Sequence, residues 1–260
     1  MVTELIEARN WQGEELQCDG CAHHSLCATG RCQLKHACVA DRYARRIERF
    51  FNWNPALADQ YLTHPYFEVR AVAAKYASEA ALPLLLNDSD ETVRAHAALR
   101  LPRELLLTLR DDPHREVRVR VASRLEGNDL VPMSSDPDYF VREIVARRLP
   151  LSKLRLMMND PEPEVRRAIA MRTGVEGLLL IARDPHPGVR REVAERLPQE
   201  HLSCLQNDLD WRVRYEVARR LKHSDLPAMS DDPNAIVRIL VRNRLTGNET
   251  DPPEDGSSST

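Results

Sequence analysis

The dipeptide Val-Arg returns every 24 residues along this chain, at Val69-Arg70, Val93-Arg94, Val117-Arg118, Val141-Arg142, Val165-Arg166, Val189-Arg190, Val213-Arg214 and Val237-Arg238. Self-similarity at a fixed period of this size is the mark of stacked supersecondary units. Eight in-register copies without insertion or deletion therefore leave little room for any architecture but a repeat array.

Other positions keep the register. Five residues before the Val stands Asp in seven units (Asp88, Asp112, Asp136, Asp160, Asp184, Asp208 and Asp232), and Pro takes the next position in six. Asp as N-cap with Pro at the first helical position predicts a helix start there. Apolar residues four and eight places after the Val, such as Val145 and Leu149, extend the helical stripe over roughly three turns. Leu then stands thirteen places after the Val, from Leu82 to Leu226, with Leu85, Leu109, Met133, Met157, Ile181, Leu205 or Met229 three further on. The few residues left before the next Asp are too short for turns and a second ordinary helix. The strict i, i+3 pair predicts one short 3₁₀ helix instead.

The predicted fold is all-α: a right-handed helical solenoid of 24-residue repeats, each a longer α-helix alternating with a short 3₁₀ helix. It is expected to span residues 53–246, after a small N-terminal cysteine-rich module (1–52) and before a polar tail (247–260) expected to be disordered. No unit this small buries its apolar face alone, so neighbours must stack.

Of the 37 basic residues 33 are Arg and 4 are Lys, a bias that calls for planar donors in fixed geometry. At about 100° per residue, the Arg after each Val falls inside the apolar arc. A charge there must be paired, and the Asp column of the same or the neighbouring unit is the expected acceptor. A second Arg column, Arg100 through Arg244, stands seven places after the Val at the rim of the arc. It is predicted either to form interhelical ion pairs with the plentiful Glu or to face an anionic protein or a nucleic acid. The formal net charge of -3 argues against undirected polyanion binding.

Five of the six cysteines cluster as Cys18-x2-Cys21-x5-Cys27-x4-Cys32-x5-Cys38. An odd cluster in a reducing compartment points to metal binding before disulfides. Four thiolates complete a zinc tetrahedron or a [4Fe–4S] cluster. One close pair with three dispersed thiols leans towards a cluster, with zinc as the alternative. His23, His24 and His36 are substitute ligands or, more simply, solvated surface histidines. Cys204, beside Leu205, is expected to be a buried small hydrophobe. After Cys38 an amphipathic helix sets Val39, Tyr43, Ile47 and Phe50 against Arg42, Arg45, Arg46 and Arg49. Its stripe is read as core and its basic face as the best local candidate for an anionic partner.

The repeats carry a DPxxxVRxxVAxRLP signature and resemble the leucine-rich-repeat-variant family within the HEAT-like group. The block with GRC, HACV and DRYARRIERFF resembles the iron–sulfur module found ahead of such arrays, so that the two resemblances cover nearly the whole chain. They imply a [4Fe–4S] cluster bound through cysteines, with Cys18, Cys21, Cys27, Cys32 and Cys38 as five candidates for four places.

No Gly-rich phosphate loop, nucleophile with a matched His, or carboxylate pair outside the Asp ladder is present, and the chain is expected not to be an enzyme. Two functions are expected to compete. One is a redox or regulatory electron-transfer module acting with a protein partner; the other is a nucleic-acid-binding solenoid with a structural cluster or zinc site. No stretch approaches the roughly 18 to 20 apolar residues that span a bilayer, and the acidic N-terminus lacks a signal-peptide pattern. The expected compartment is the cytoplasm.

Overall fold

The computed structural model describes residues 7–247; the expected disordered tail, from residue 248 on, lies outside the described residues. Two compact units divide in sequence between Met133 and Ser134. The first holds α1 (His24–Ala28), α2 (Ala44–Trp53), a 3₁₀ helix at Pro55–Tyr61, α3 (Phe67–Ala74), a 3₁₀ helix at Leu82–Leu85 and α4 (Glu91–Ala98). It continues with α5 (Arg103–Leu106), a 3₁₀ turn at Leu107–Leu109 and α6 (Arg115–Arg124); another 3₁₀ helix, Gly127–Ser135, carries the chain past the boundary. The second holds α7 (Tyr139–Arg148), α8 (Pro163–Ala170), α9 (Val175–Ile181), α10 (Pro187–Arg196), α11 (Trp211–Arg220) and α12 (Ala235–Thr246). Its 3₁₀ helices lie at Leu151–Met157, Gln199–Leu205 and Leu226–Met229. Among the described residues the only β-type pairings are two isolated bridges, Arg9 with Glu15 and Gln33 with Ala37. No helix among them is long and apolar enough to cross a membrane.

Within each unit the long repeat helices pack on one another in chain order, as the predicted stacking requires. The Val of each Val-Arg pair and the two apolar residues of the short helix are buried throughout. The i, i+3 spacing of a 3₁₀ turn puts those two side chains on one edge, so a segment as short as Leu82–Leu85 still supplies two core anchors. Two short segments differ from the predicted 3₁₀ form. Arg103–Leu106 and Val175–Ile181 are α-helical, and both are rich in the good helix formers Glu and Leu. In three of the others Pro83, Pro132 or Pro227 lies inside the turn, and the missing amide works against α-helical continuation.

The predicted helix start needs correction. The true N-cap is the residue three places before the Val: Asp90, Asp138, Asp210 and Asn234 each accept the amide two residues on, at 2.8 to 2.9 Å. The conserved-register Asp stands two residues further out. Asp112, for example, accepts the amide of His114 at 2.8 Å, making a turn that leads into the cap, and Pro113 lies before the helix rather than at its first position. The reason lies in the Asp's second task. Its carboxylate receives the Arg of the preceding repeat: Arg70 with Asp88 and Arg94 with Asp112 in the first unit, and Arg142, Arg166, Arg190 and Arg214 with Asp160, Asp184, Asp208 and Asp232 in the second. Each pair is a two-pronged contact, as with Arg94 Nε and Nη2 at 2.7 and 2.9 Å from Asp112. The remaining Nη1 of the same Arg returns to its own repeat, Arg94 to the Asp88 carbonyl at 2.7 Å. The first column is thus a structural ladder between repeats.

The second column is structural too, but its acceptors are not Glu. Arg100 Nη1 donates to the carbonyls of Ala74 and Ala77 at 3.0 and 2.6 Å, and Arg124 Nη1 to those of Ala98 and Leu101 at 2.8 and 2.7 Å. Arg172, Arg196, Arg220 and Arg244 do the same for Ala146, Ala170, Ala194 and Ala218. Each guanidinium closes the C-terminal end of the preceding long helix, where orphan carbonyls and the negative dipole end favour a cation.

Cys204 is exposed, not buried as expected. Leu202 and Leu205 occupy the inward edge of the turn, and a three-residue repeat leaves the position between them facing solvent.

Candidate metal centre

Three loops carry the clustered thiols. Gly20, at φ +79°, turns the chain between Cys18 and Cys21, and the Cys21 amide donates to the Cys18 carbonyl at 3.2 Å. The short α1 then delivers Cys27, whose Sγ lies 3.9 Å from Cys18 Sγ. Past the helix the chain reverses, so that the amides of Arg31 and Cys32 both reach the Leu26 carbonyl, at 2.8 and 3.2 Å. The last loop is a tight turn closed by reciprocal backbone bonds between Gln33 and Ala37 at 2.9 and 2.8 Å, with Lys35 at φ +64° near its tip. Cys32 and Cys38 flank this bridged pair, so the turn sets them side by side. Both are buried, whereas Cys18, Cys21 and Cys27 are half-exposed, and all are free thiols.

α2 forms the wall behind them. Its Ile47, Phe50 and Phe51 are fully buried, and the His23 ring packs 5.1 Å from Phe50 while its Nε2 meets the Tyr61 hydroxyl. Asn54, also fully buried, donates from Nδ2 to the Arg31 carbonyl at 2.7 Å and to the Phe50 carbonyl at 2.9 Å. That one side chain staples the cysteine loop to the end of α2. At the other end buried Asp41 accepts from the Tyr43 amide at 3.0 Å and from Arg46 at 2.7 Å, which sets the helix start at Ala44.

Burial pushes the Cys32 thiol up to about 12, helped by the charges of Cys38 and Cys27. Burial likewise raises Cys38 to about 11 against the pull of the Ala40 and Asp41 amides, and it raises Cys18, with Cys27 and Cys21 adding to the shift. Tyr61 is pushed up to about 12 by burial first and by the negative field of Cys21, Cys38 and Cys32 second. All five thiols therefore share one field. Burial and mutual repulsion disfavour the thiolate forms here, and a cationic iron core held by these cysteines would offset that penalty. The donor set fits a [4Fe–4S] cluster, which takes four thiolates spread around a cubane; the site offers one more. Among the described residues no three Cys, His, Asp or Glu side chains converge as ligands of a single metal ion would.

The histidines part company. His23 is not a solvated surface residue: it is half-buried against Phe50 and Tyr61, and burial lowers its pKa. His24 and His36 are exposed, with His36 held by Arg49. Of the predicted basic face of α2, Arg46 is withdrawn to Asp41. The roles of Asn54, Asp41 and Tyr61 were not read from the sequence. Only Asp41 carried a local signal, an Asx-type contact to the amide two residues on.

Residues 8–60 match the family model described as "LRV protein FeS4 cluster". Iron–sulfur thus replaces the zinc alternative. An uncharacterized 27.7 kDa protein in the nifB 3′ region of Rhodobacter capsulatus is 52% identical over 96 residues, which are 37% of this chain and 39% of that relative. The match thus spans well under half of each. A solved structure described as a leucine-rich repeat variant with a novel repetitive protein structural motif is 43% identical, covering 88% of this chain and 99% of that one with a TM-score of 0.84. On this ground, the repeat chemistry and the matched cysteine module, the chain belongs to the leucine-rich repeat variant family that carries an iron–sulfur cluster.

Proposed function

We propose that the protein is a redox or regulatory module, not an enzyme, in which the cluster exchanges an electron with a cytoplasmic protein partner and the repeat array serves as the docking scaffold. The observation that carries this reading is the asymmetry of the thiols. Cys32 and Cys38 are buried against the turn and α2, while Cys18, Cys21 and Cys27 reach the surface. A cluster held there is anchored by the turn and α2 yet lies close to the surface, the position from which electrons pass to a docked protein.

The nucleic-acid reading drew on the arginine columns. Twelve of those guanidiniums, six in each column, bind carboxylates or helix carbonyls, which leaves fewer cations for phosphates. A purely structural cluster is supported by a different contact: Phe51 of the module stacks 6.2 Å from Tyr76 of the first repeat, so the module covers the end of the array, as solenoid ends require. Anaerobic purification, iron and sulfide analysis, and a potentiometric titration followed by EPR separate the two. A reversible one-electron couple supports the electron-transfer role. A cluster that resists reduction, and whose removal unfolds the first repeats, would instead establish the structural one.

A further inference from the structure

The surface over the buried thiols names the chemistry of the partner, an inference that rests on the electron-transfer reading. On α2, Arg45, Arg49 and Trp53 follow one another four residues apart and so share one stripe, on the side away from buried Ile47 and Phe50. Arg49 Nη1 donates to the His36 carbonyl at 2.8 Å and to its Nδ1 at 2.9 Å. The His36 ring in turn lies 5.6 Å from Trp53. Arg31 Nη2 donates to the Trp53 carbonyl at 3.3 Å, and exposed Lys35 sits near the tip of the Gln33–Ala37 turn. Arg31 and, through His36, Arg49 thus meet at one half-buried Trp on the outer side of the turn whose ends are Cys32 and Cys38, with Lys35 next to His36 in that turn and Arg45 one helical turn before Arg49.

These cations are not neutralised from within. Among the described residues no carboxylate lies within ion-pair distance of Arg31, Lys35, Arg45 or Arg49, whereas three acids of the module are engaged elsewhere. Glu7, whose carboxyl feels Lys35, is held by Arg9 at 2.6 Å; Asp41 is held by Arg46 at 2.7 Å and Glu48 by Lys75 at 2.8 Å. The contrast with the repeats, whose arginine columns are bound internally, is sharp. We propose that this face is the docking surface for an acidic redox protein, with Trp53 as the apolar centre and Arg31, Lys35, Arg45 and Arg49 as the steering rim. A central aromatic inside a polar, charged rim is how protein interfaces distribute affinity and encounter rate. A nucleic acid is the less favoured occupant, because four charges on one turn and one helix provide no long track of phosphate contacts.

The test uses the full, anaerobically loaded chain and the variant Lys35→Gln/Arg45→Gln. Neither side chain hydrogen-bonds within the described structure, so iron content should be unchanged. Arg155→Gln/Lys222→Gln in the repeats is the control. Binding is measured by anisotropy for three probes: a plant-type ferredoxin (acidic), cytochrome c (basic) and duplex DNA. We expect the ferredoxin to bind, to weaken between about 0.05 and 0.3 M salt as the Debye length shrinks, and to lose about three- to tenfold in affinity with the variant at low salt. The control should bind as the parent does. Ferredoxin binding that is absent, or indifferent to the variant, overturns the proposal, and DNA binding that the variant abolishes reassigns the surface to nucleic acid. Since binding is read with the oxidised cluster, a cluster that fails to cycle leaves this result standing and removes only the electron-transfer reading.

Discussion

Arg142 grips Asp160, eighteen residues further along the chain, with both prongs: Nε to Oδ2 at 2.7 Å and Nη2 to Oδ1 at 3.0 Å. Both residues are buried, and Asp160 also accepts the Glu162 amide at 2.9 Å. One carboxylate therefore joins two repeats and shapes the entry to α8. Removing one partner strands a buried charge. Asp160→Ala should cost about 3 to 5 kcal/mol in urea unfolding, and adding Arg142→Met should give back part of that loss. Equal, additive costs would mean that the two residues do not act as a pair.

The same pairing sets the acid limit. Burial pushes Asp88, Asp112 and Asp232 upwards, but hydrogen bonds and charge from Arg70, Arg94 and Arg214, with an amide each, outweigh it and hold all three below their ordinary value. A lowered folded-state pKa stabilises above the unfolded value, near 3.9, and that contribution is lost as pH falls through the folded one. Stability should therefore be level down to about pH 5 and fall steeply below about pH 4, followed by circular dichroism. A fall that begins at pH 6 would place the weak point elsewhere, at a histidine.

The second arginine column makes a stability claim rather than a binding one. Arg124→Gln removes the charged donor to the Ala98 and Leu101 carbonyls and should cost about 1.5 to 3 kcal/mol. Arg124→Lys should rescue only part of the loss, since both bonds come from the single Nη1 and the ammonium sits on a shorter stem. Thermal unfolding reads both variants. Unchanged stability together with weakened DNA binding would restore the column as a nucleic-acid face.

Five thiols share a site that a cubane fills with four. Single Cys→Ser variants of Cys18, Cys21, Cys27, Cys32 and Cys38, reconstituted anaerobically, should divide four to one in iron content, with the spare cysteine retaining about four irons. Cys32→Ser and Cys38→Ser should also lower the stability of the metal-free chain, because both positions are buried. Two dispensable cysteines would rule out all-thiolate ligation of every iron.

Gly177 occupies a close approach within α9: a Cβ there would meet Thr173 Oγ1 at 1.9 Å and Met158 Cε at 2.9 Å. Gly177→Ala should thus destabilise despite a helix-propensity gain of about 1 kcal/mol, and Thr173→Ala should recover part of the loss by removing the Oγ1 contact. The melting temperatures of the single and double variants decide; a more stable single variant would show that the turn gives way freely.

The period, the stacking Val, the paired apolar residues of the short helix and the need for an Asp–Arg ladder could all be read from residue order. They are patterns of side-chain type at fixed spacing, and spacing on a helix translates directly into a face. The stripe Ile47–Phe50 and the gathering of five thiols were readable for the same reason. What residue order left open concerns partners that carry no residue-specific signature. Arg100 and Arg124 end on backbone carbonyls, and since every residue has one, nothing in the chain marks Ala74 or Ala98 as the acceptor. The ladder Asp was mistaken for a helix cap because a short acceptor suits either task, and only the position of the preceding repeat's Arg94 relative to Asp112 assigns it. Asn54 becomes the staple of the cysteine loop, and His36 comes against Trp53 and Arg49, only when the Gln33–Ala37 turn has folded back onto α2. Local pattern determined the elements and their buried faces; the acceptors, the burial of each thiol and the charge left over at the surface were decided by which backbone and which neighbour the packed chain brings within about 3 Å, the range over which a hydrogen bond acts.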